Sequence, residues 1–351
     1  MKRLILVGML SLAAYSAAAH TVDSPNSTKK QLGEAKDTAC VTQGNLGTPA
    51  AARGWGTRLL NDGVLSRNPR VARALRDLAA ECYYQVLKIA PNDTTAIEGL
   101  ATILGQEAAA LASTDLPAAR VLWALAYDKF ALALQLDPKF DQAARRWGVA
   151  LGAQAQALLA AQPADLAAAR ALWAQAGQKY ALGLQISPND ATIASNWGAL
   201  LGYEAQAVAR SDLPAARVLW QQAYSRYVLA MTLDPQNIIA PSNLAAEMTF
   251  ERRALLAAAS PPSPQTMAQA DDLLQRARTL LLGLADDSKA SLAYNIACIY
   301  ALDGQVAQAM QWLKRSDSAG SLPQKLHIAQ DSDLDALRNT PAFAAWFAQL
   351  P

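Results

Sequence analysis

Residues 115–138 read DLPAARVLWALAYDKFALALQLDP, and the same frame returns as DLAAARALWAQAGQKYALGLQISP at 165–188 and DLPAARVLWQQAYSRYVLAMTLDP at 212–235. An Asp opens each stretch, a Trp stands eight residues later, and a Pro closes it fifteen residues after the Trp. Asp is a favoured N-cap, and Pro is tolerated in the first helical turn, as at Pro117 and Pro214. The closing prolines bias the residue before them away from the α region. Each stretch therefore reads as one helix with its start and stop marked. VLKIAPND adds a fourth closing proline, Pro91, so that Pro91, Pro138, Pro188 and Pro235 are spaced 47, 50 and 47 residues apart. A fixed period of this length predicts stacked copies of one supersecondary unit.

Counting back from the prolines shows what each copy packs. Ala79, Ala126, Ala176 and Ala223 stand twelve residues before, Tyr83, Phe130, Tyr180 and Tyr227 eight before, and Val86, Ala133, Gly183 and Ala230 five before. These positions share one helical face, where small residues let a paired helix approach and the aromatic fills the remaining space. A tryptophan-glycine pair recurs in the other half of the unit, at Trp147-Gly148 and Trp197-Gly198.

From about Thr48 to its end the chain resembles the tetratricopeptide repeat (TPR) family, whose second helix carries this small–aromatic–small–Pro pattern. The period is longer than the family's usual 34 residues, and the excess lies in helix-forming segments around the turn, such as GYEAQAVAR and AARVLWQQ. Both helices of each hairpin are thus expected to run about two turns beyond the family length. The last unit, with Asn295, Ala297, Tyr300, Gly304 and Ala309, returns to ordinary spacing, and residues 331–343 resemble the closing segment that follows many TPR arrays. The resemblance implies an all-α fold, a right-handed α-solenoid of about six helical hairpins plus a C-terminal capping helix. The hairpins are expected at about 48–92, 93–139, 140–189, 190–236, 237–288 and 289–319, with the cap at 320–351. In the degenerate fifth unit the helices are expected at about Ile238–Ala259 and Thr266–Ala285, joined by SPPSP.

Composition agrees with helices packed at short range. Of 351 residues, 77 are Ala, 7% are aromatic and 17% are charged. Alanine is the strongest helix former, and an all-β chain would need more Val, Ile, Thr and aromatics. Lys2 and Arg3 precede an uncharged run from Leu4 to Tyr15 and small residues up to Ala19, the pattern of a cleavable signal peptide over residues 1–19. Cleavage is expected after Ala19, which sends the chain to a periplasm or outside the cell. Losing Lys2 and Arg3 leaves 29 basic against 29 acidic residues, so net charge gives no reason to expect nucleic acid as a partner. Residues 20–47 are expected to form a flexible arm. A Cys40–Cys82 disulfide could pin it, an alternative that an oxidising compartment permits and sequence alone cannot fix. Cys298, between Ala297 and Ile299, reads as a core residue.

Nothing in the chain points to catalytic, cofactor or metal chemistry. His20 and His327 have no partner at metal-ligand spacing, and the carboxylate pairs Asp271-Asp272 and Asp286-Asp287 fall near helix ends. We therefore expect no enzyme, no cofactor and no metal. The recurrent Trp123, Trp173 and Trp220, with Trp147 and Trp197, are explained by packing between like hairpins, or alternatively by an aromatic ladder for sugar. In TPR proteins the first helix of each hairpin lines a concave groove. Carried over residue by residue, that groove would use Gln106, Arg145, Arg146, Asn196, Tyr203, Asn243, Phe250 and Asn295. The asparagines could pair with an extended peptide backbone, or cap and bond between repeats. Arg145 and Arg146 could receive a carboxylate or remain a solvated pair. The expected function is a non-catalytic, exported scaffold that binds a peptide or protein partner in the cell envelope. The alternative is a carrier of an apolar or lipidic ligand.

Overall fold

The computed structural model describes residues 48–66, 68–284 and 292–350. Among these residues the chain is all-α, as expected, and its helices pack in adjacent pairs. The first hairpin is α1 (Pro49–Leu65) with α2 (Pro69–Ile89), the second α3 (Thr94–Leu111) with α4 (Leu116–Leu136), and the third α5 (Asp141–Ala160) with α6 (Leu166–Ile186). The fourth is α7 (Ala191–Val208) with α8 (Leu213–Leu233), the fifth α9 (Ile239–Ala257) with α10 (Pro264–Leu284), and the sixth α11 (Ala293–Leu302) with α12 (Val306–Ser318). The C-terminal segment is three short helices rather than one: α13 (Lys325–Gln330), α14 (Asp335–Arg338) and α15 (Pro341–Gln349), with a 3-10 turn at Ser332–Leu334.

The start signals act as their chemistry requires. Asp115, Asp165 and Asp212 each accept a hydrogen bond from the backbone N–H three residues on, at 3.0, 2.9 and 3.0 Å. The aspartates of the PND turns cap the following first helices: Asp93 accepts from the Ala96 N–H at 2.9 Å, and Asp190 from Thr192 and Ile193 at 2.7 and 3.0 Å. The helices before Pro91, Pro138, Pro188 and Pro235 end at Ile89, Leu136, Ile186 and Leu233, two residues short of each proline.

Helix length follows the long period. α3 and α7 have 18 residues and α4, α6 and α8 have 21, against 10 in α11 and 13 in α12. The difference of eight residues on each side is a little over two turns.

The small-against-aromatic contact is the repeated core element. Tyr83, Phe130, Tyr180 and Tyr227 are buried, and Ala79, Ala126, Ala176 and Ala223 are fully so. A Cβ built on Gly148 would lie 2.8 Å from the Tyr180 ring, and one on Gly198 would lie 3.0 Å from the Tyr227 ring. The same contact opens the array at Trp55-Gly56, where a Cβ would come within 2.8 Å of Tyr83. This third Trp-Gly pair is hard to place from sequence, because no DLPAA landmark follows it in the first hairpin.

The described residues form two compact units, one ending at Asn189 and one beginning at Asp190. The division falls between the third and fourth hairpins and was not anticipated. Within the first unit α1 packs on α3 and α3 on α5, while α2 and α4 each pack on the first helix of the next hairpin. The second unit repeats the scheme with α7 on α9, α9 on α11, α8 on α9 and α10 on α11.

The C-terminal segment closes the second unit. Ile328, Leu334, Leu337, Phe343, Trp346 and Leu350 bury against Tyr294, Cys298, Met310 and Leu313. Polar contacts fix their places: Arg253 of α9 pairs with Asp333 at 2.7 Å and donates to Ser332 Oγ at 3.0 Å, and Trp346 Nε1 donates to Asp317 at 3.0 Å. The end of a helical array otherwise exposes its apolar face, which is what this segment covers. No described helix is long and apolar enough to cross a membrane.

Candidate functional site

The groove residues inferred from sequence sit on α3, α5, α7, α9 and α11, the first helices of their hairpins, and all eight are half-buried. The two units treat their sets differently.

In the first unit the charged members are engaged internally. Arg146 of α5 forms an ion pair with Glu98 of α3 at 3.0 Å, and both side chains are largely covered. The Thr102 hydroxyl also donates to Glu98, at 2.7 Å. Arg146 is therefore a bolt between the second and third hairpins, and its carboxylate partner belongs to the chain. A second bolt joins the first hairpin to the second, where Arg53 pairs with Asp93 at 2.7 Å. Arg145 is likewise not a free cation. Gln106 differs, because its buried Oε1 has no hydrogen-bond partner among the described residues.

In the second unit the row is amide-rich and open. Asn196 of α7, Asn243 of α9 and Asn295 of α11 lie on successive first helices, and among the described residues none makes a side-chain hydrogen bond. Capping or bonding between repeats thus does not occupy these amides. Tyr203 and Phe250 accompany them on α7 and α9, and Arg253 lies over the Phe250 ring at 5.2 Å. Packed helices lie roughly 8–10 Å apart, and an extended chain rises about 3.3 Å per residue. One asparagine per helix would therefore meet such a chain at about every third residue.

The tryptophans belong to the packing. Trp123, Trp173 and Trp220 are at most 1% exposed, which removes them from any ligand-facing surface. Trp147 stacks on Tyr127 and Phe130 at 6.1 and 6.2 Å and carries the Lys179 ammonium 3.5 Å from its ring centre. Trp197 is covered in the same way by the Arg226 guanidinium at 3.7 Å. Burial lowers the pKa of both cations, as expected of charges laid on a ring and partly withdrawn from water.

Polar groups outside the groove row also make contacts within the chain. Cys298, Asp331 and Asp333 bring three ligand-type atoms within 4.8 Å of one another. Their polar partners lie within the chain: Asp331 accepts the Tyr294 hydroxyl at 2.8 Å and the Asp333 N–H at 3.0 Å, and Asp333 is tied to Arg253. Burial and the neighbouring Asp331 push the Asp333 carboxyl up, while Arg253 pulls it down. Burial raises the Cys298 thiol well above its ordinary range, which keeps it protonated and inert. His327 stands with its Nε2 3.8 Å from Asp331. Cys82 is buried and disulfide-bonded, while Cys40 and His20 lie outside the described residues, as do Asp286-Asp287 and the segments 1–19 and 20–47 expected to be a signal peptide and an arm. Asp272 pairs with Arg276 on the surface of α10.

One polar arrangement was not foreseen from sequence. Glu247 and Glu251 of α9 point inward and are 5% and 1% exposed. Glu247 accepts from Trp220 Nε1 at 3.0 Å and from Gln206, and Glu251 from Tyr224 at 2.7 Å and Arg217 at 3.1 Å. An inward acid has no local sequence signature that separates it from a solvent-facing one.

No protein-family model and no curated protein matches the chain. Among solved structures it is similar to a human IFIT1 dimer with PPP-AAAA, at 13% identity over 87% of this chain and 79% of that one, with a TM-score of 0.30. A monomeric IFIT1 mutant with Gppp-AAAA follows at 12% identity, 84% and 76% coverage and a TM-score of 0.29. The APC/C hetero-tetramer Cut9-Hcn1 gives 15% identity, 87% and 67% coverage and a TM-score of 0.25. At such values the likeness says nothing about ligands, and the paired-helix architecture rests on the described residues themselves.

Proposed function

We propose that the chain is an exported, TPR-type repeat protein that captures an extended peptide segment of a protein partner on the first-helix row of its second unit. One observation carries this reading: Asn196, Asn243 and Asn295 present half-buried amides with no side-chain hydrogen bond among the described residues. Each amide offers a donor and an acceptor, which is what a peptide backbone needs at each step. The row is mounted on packed helices, so binding costs little ordering of the protein. Residues 1–19 support export, with cleavage after Ala19, and the mature chain's zero net charge argues against a partner chosen by bulk electrostatics.

The apolar-carrier alternative needs an enclosed tube. The hollow of about 560 Å³ along Pro214 and Val218 of α8 and that of about 590 Å³ at the α5–α6 turn are both open to solvent. The test of the scaffold reading is crosslinking in the native cell, repeated with Asn196→Ala, Tyr203→Ala and Asn243→Ala combined. Loss of a captured envelope protein in the triple variant is the expected result. Unchanged capture by a folded triple variant overturns the groove assignment. N-terminal sequencing of the mature protein checks the cleavage site.

A further inference from the structure

α9 places a carboxyl where α3, α5, α7 and α11 place hydrocarbon and α1 places the exposed Arg58. The positions equivalent to Glu247 in α3, α5, α7 and α11 are Ile103, Ala150, Leu200 and Ile299. Room for it comes from Gly202 of α7, where a Cβ would lie 2.2 Å from Glu247 Oε1. Gln206 Nε2 donates to both carboxyl oxygens at 3.2 and 3.1 Å, and Trp220 Nε1 donates to one of them at 3.0 Å. All of these donors are neutral. The Arg217 guanidinium pairs instead with Glu251, one turn further along α9.

Ionisable groups around this site come from three of the helices packed near α9. From α8, Tyr224 and Tyr227 have phenols raised by burial and, secondarily, by these carboxylates. From α7, Tyr203 bears on Tyr227, and from α10, Arg276 bears on Tyr224.

We propose that Glu247 is a proton-operated latch between the α7–α8 hairpin and α9, holding the joint closed when neutral and loosening it when ionised. Ionisation places a second negative charge in the joint beside Glu251, whose charge Arg217 already matches. Burial pushes the Glu247 carboxyl up to about 7, and the Gln206 and Trp220 hydrogen bonds only partly oppose that. When the joint opens, the group returns to water and to its ordinary value of 4.5. Protons therefore favour the closed joint, and its opening constant should rise about tenfold between pH 6 and pH 8. Because α9 also carries Asn243 and Phe250, opening would displace part of the amide row. That consequence rests on the groove reading, whereas the latch does not.

The test is hydrogen exchange by mass spectrometry on the full chain at pH 6 and pH 8, corrected for intrinsic exchange. The unaltered chain should lose about tenfold protection across α7, α8 and α9, and Glu247→Gln should lose none. Equal protection at both pH values in the unaltered chain overturns the latch, as does the same loss in Glu247→Gln. A carbon-13 titration of the Glu247 carboxyl in the unaltered chain needs no variant to fold. A midpoint near 7 supports the latch, and one near 4.5 overturns it.

Discussion

Tyr83 and Gly99 meet so closely between the first and second hairpins that a Cβ at residue 99 would lie 2.3 Å from two carbons of the tyrosine ring. The same ring bears on Gly56 from the other side, so two first helices approach one aromatic. The Tyr83 hydroxyl donates to Thr57 at 3.2 Å, which limits how far the ring can shift.

Gly99→Ala should therefore destabilise the chain by about 2 kcal/mol or more, because overpacking outweighs the helix propensity that alanine brings. Gly54→Ala, at a helical position with nothing within 4 Å of the added atom, should stabilise it by about 0.5–1 kcal/mol. Urea unfolding of the two variants checks the opposite signs.

Arg146→Met should cost about 3 kcal/mol by leaving the Glu98 carboxylate covered and unpaired. Adding Glu98→Gln should return much of that loss. A double-mutant cycle on chemical stability measures the coupling, and additive losses would show that the pair does not act as a bolt.

Asn196→Ala, Asn243→Ala and Asn295→Ala should each change stability by less than about 0.5 kcal/mol, because no internal hydrogen bond is removed. Thermal melts decide this. A loss of about 1 kcal/mol or more would mean that the amides serve the fold, and the ladder reading would fall.

Stability should respond to pH through Glu247. Its folded value of about 7 exceeds the ordinary 4.5, so the folded chain holds its proton more tightly than the unfolded one. The contribution is fully present below pH 4.5 and is lost as pH rises through about 7, a total of about 3 kcal/mol. Urea midpoints from pH 5 to pH 8 should fall for the unaltered chain, with a much shallower fall in Glu247→Gln.

Truncation after Ser318 should expose Tyr294, Cys298, Met310 and Leu313, which the C-terminal segment covers. Light scattering on the truncated chain should show self-association, and a stable monomer would count against the segment's capping role.

Much of the fold was legible because its signals are local. Asp115 caps within three residues, Pro138 acts on the residue before it, and Ala126 and Phe130 reach the same face by helical spacing alone. The Asn row was legible by register against the Gly148 and Gly198 positions. The pairing of Glu98 with Arg146 was not, since 48 residues separate them and neither charge betrays which way it turns. Glu247 escaped notice for the same reason, because its burial depends on Gly202 and Trp220 from two other helices. Trp55-Gly56 was written in the chain but lacked the turn landmark that would have framed it.

The largely neighbour-to-neighbour packing within each unit also bears on how the chain acquires its structure. Each hairpin helix finds its main contacts on its partner in the same hairpin and most of the rest on the adjoining one, while the C-terminal segment reaches back to α11 and, through Asp333, to Arg253 of α9. Closing such short loops costs little entropy, and chains rich in local contacts fold quickly. A hairpin can thus complete as soon as its second helix has emerged from the ribosome or a translocation pore, without waiting for distant segments. The order of assembly then follows the order of the chain.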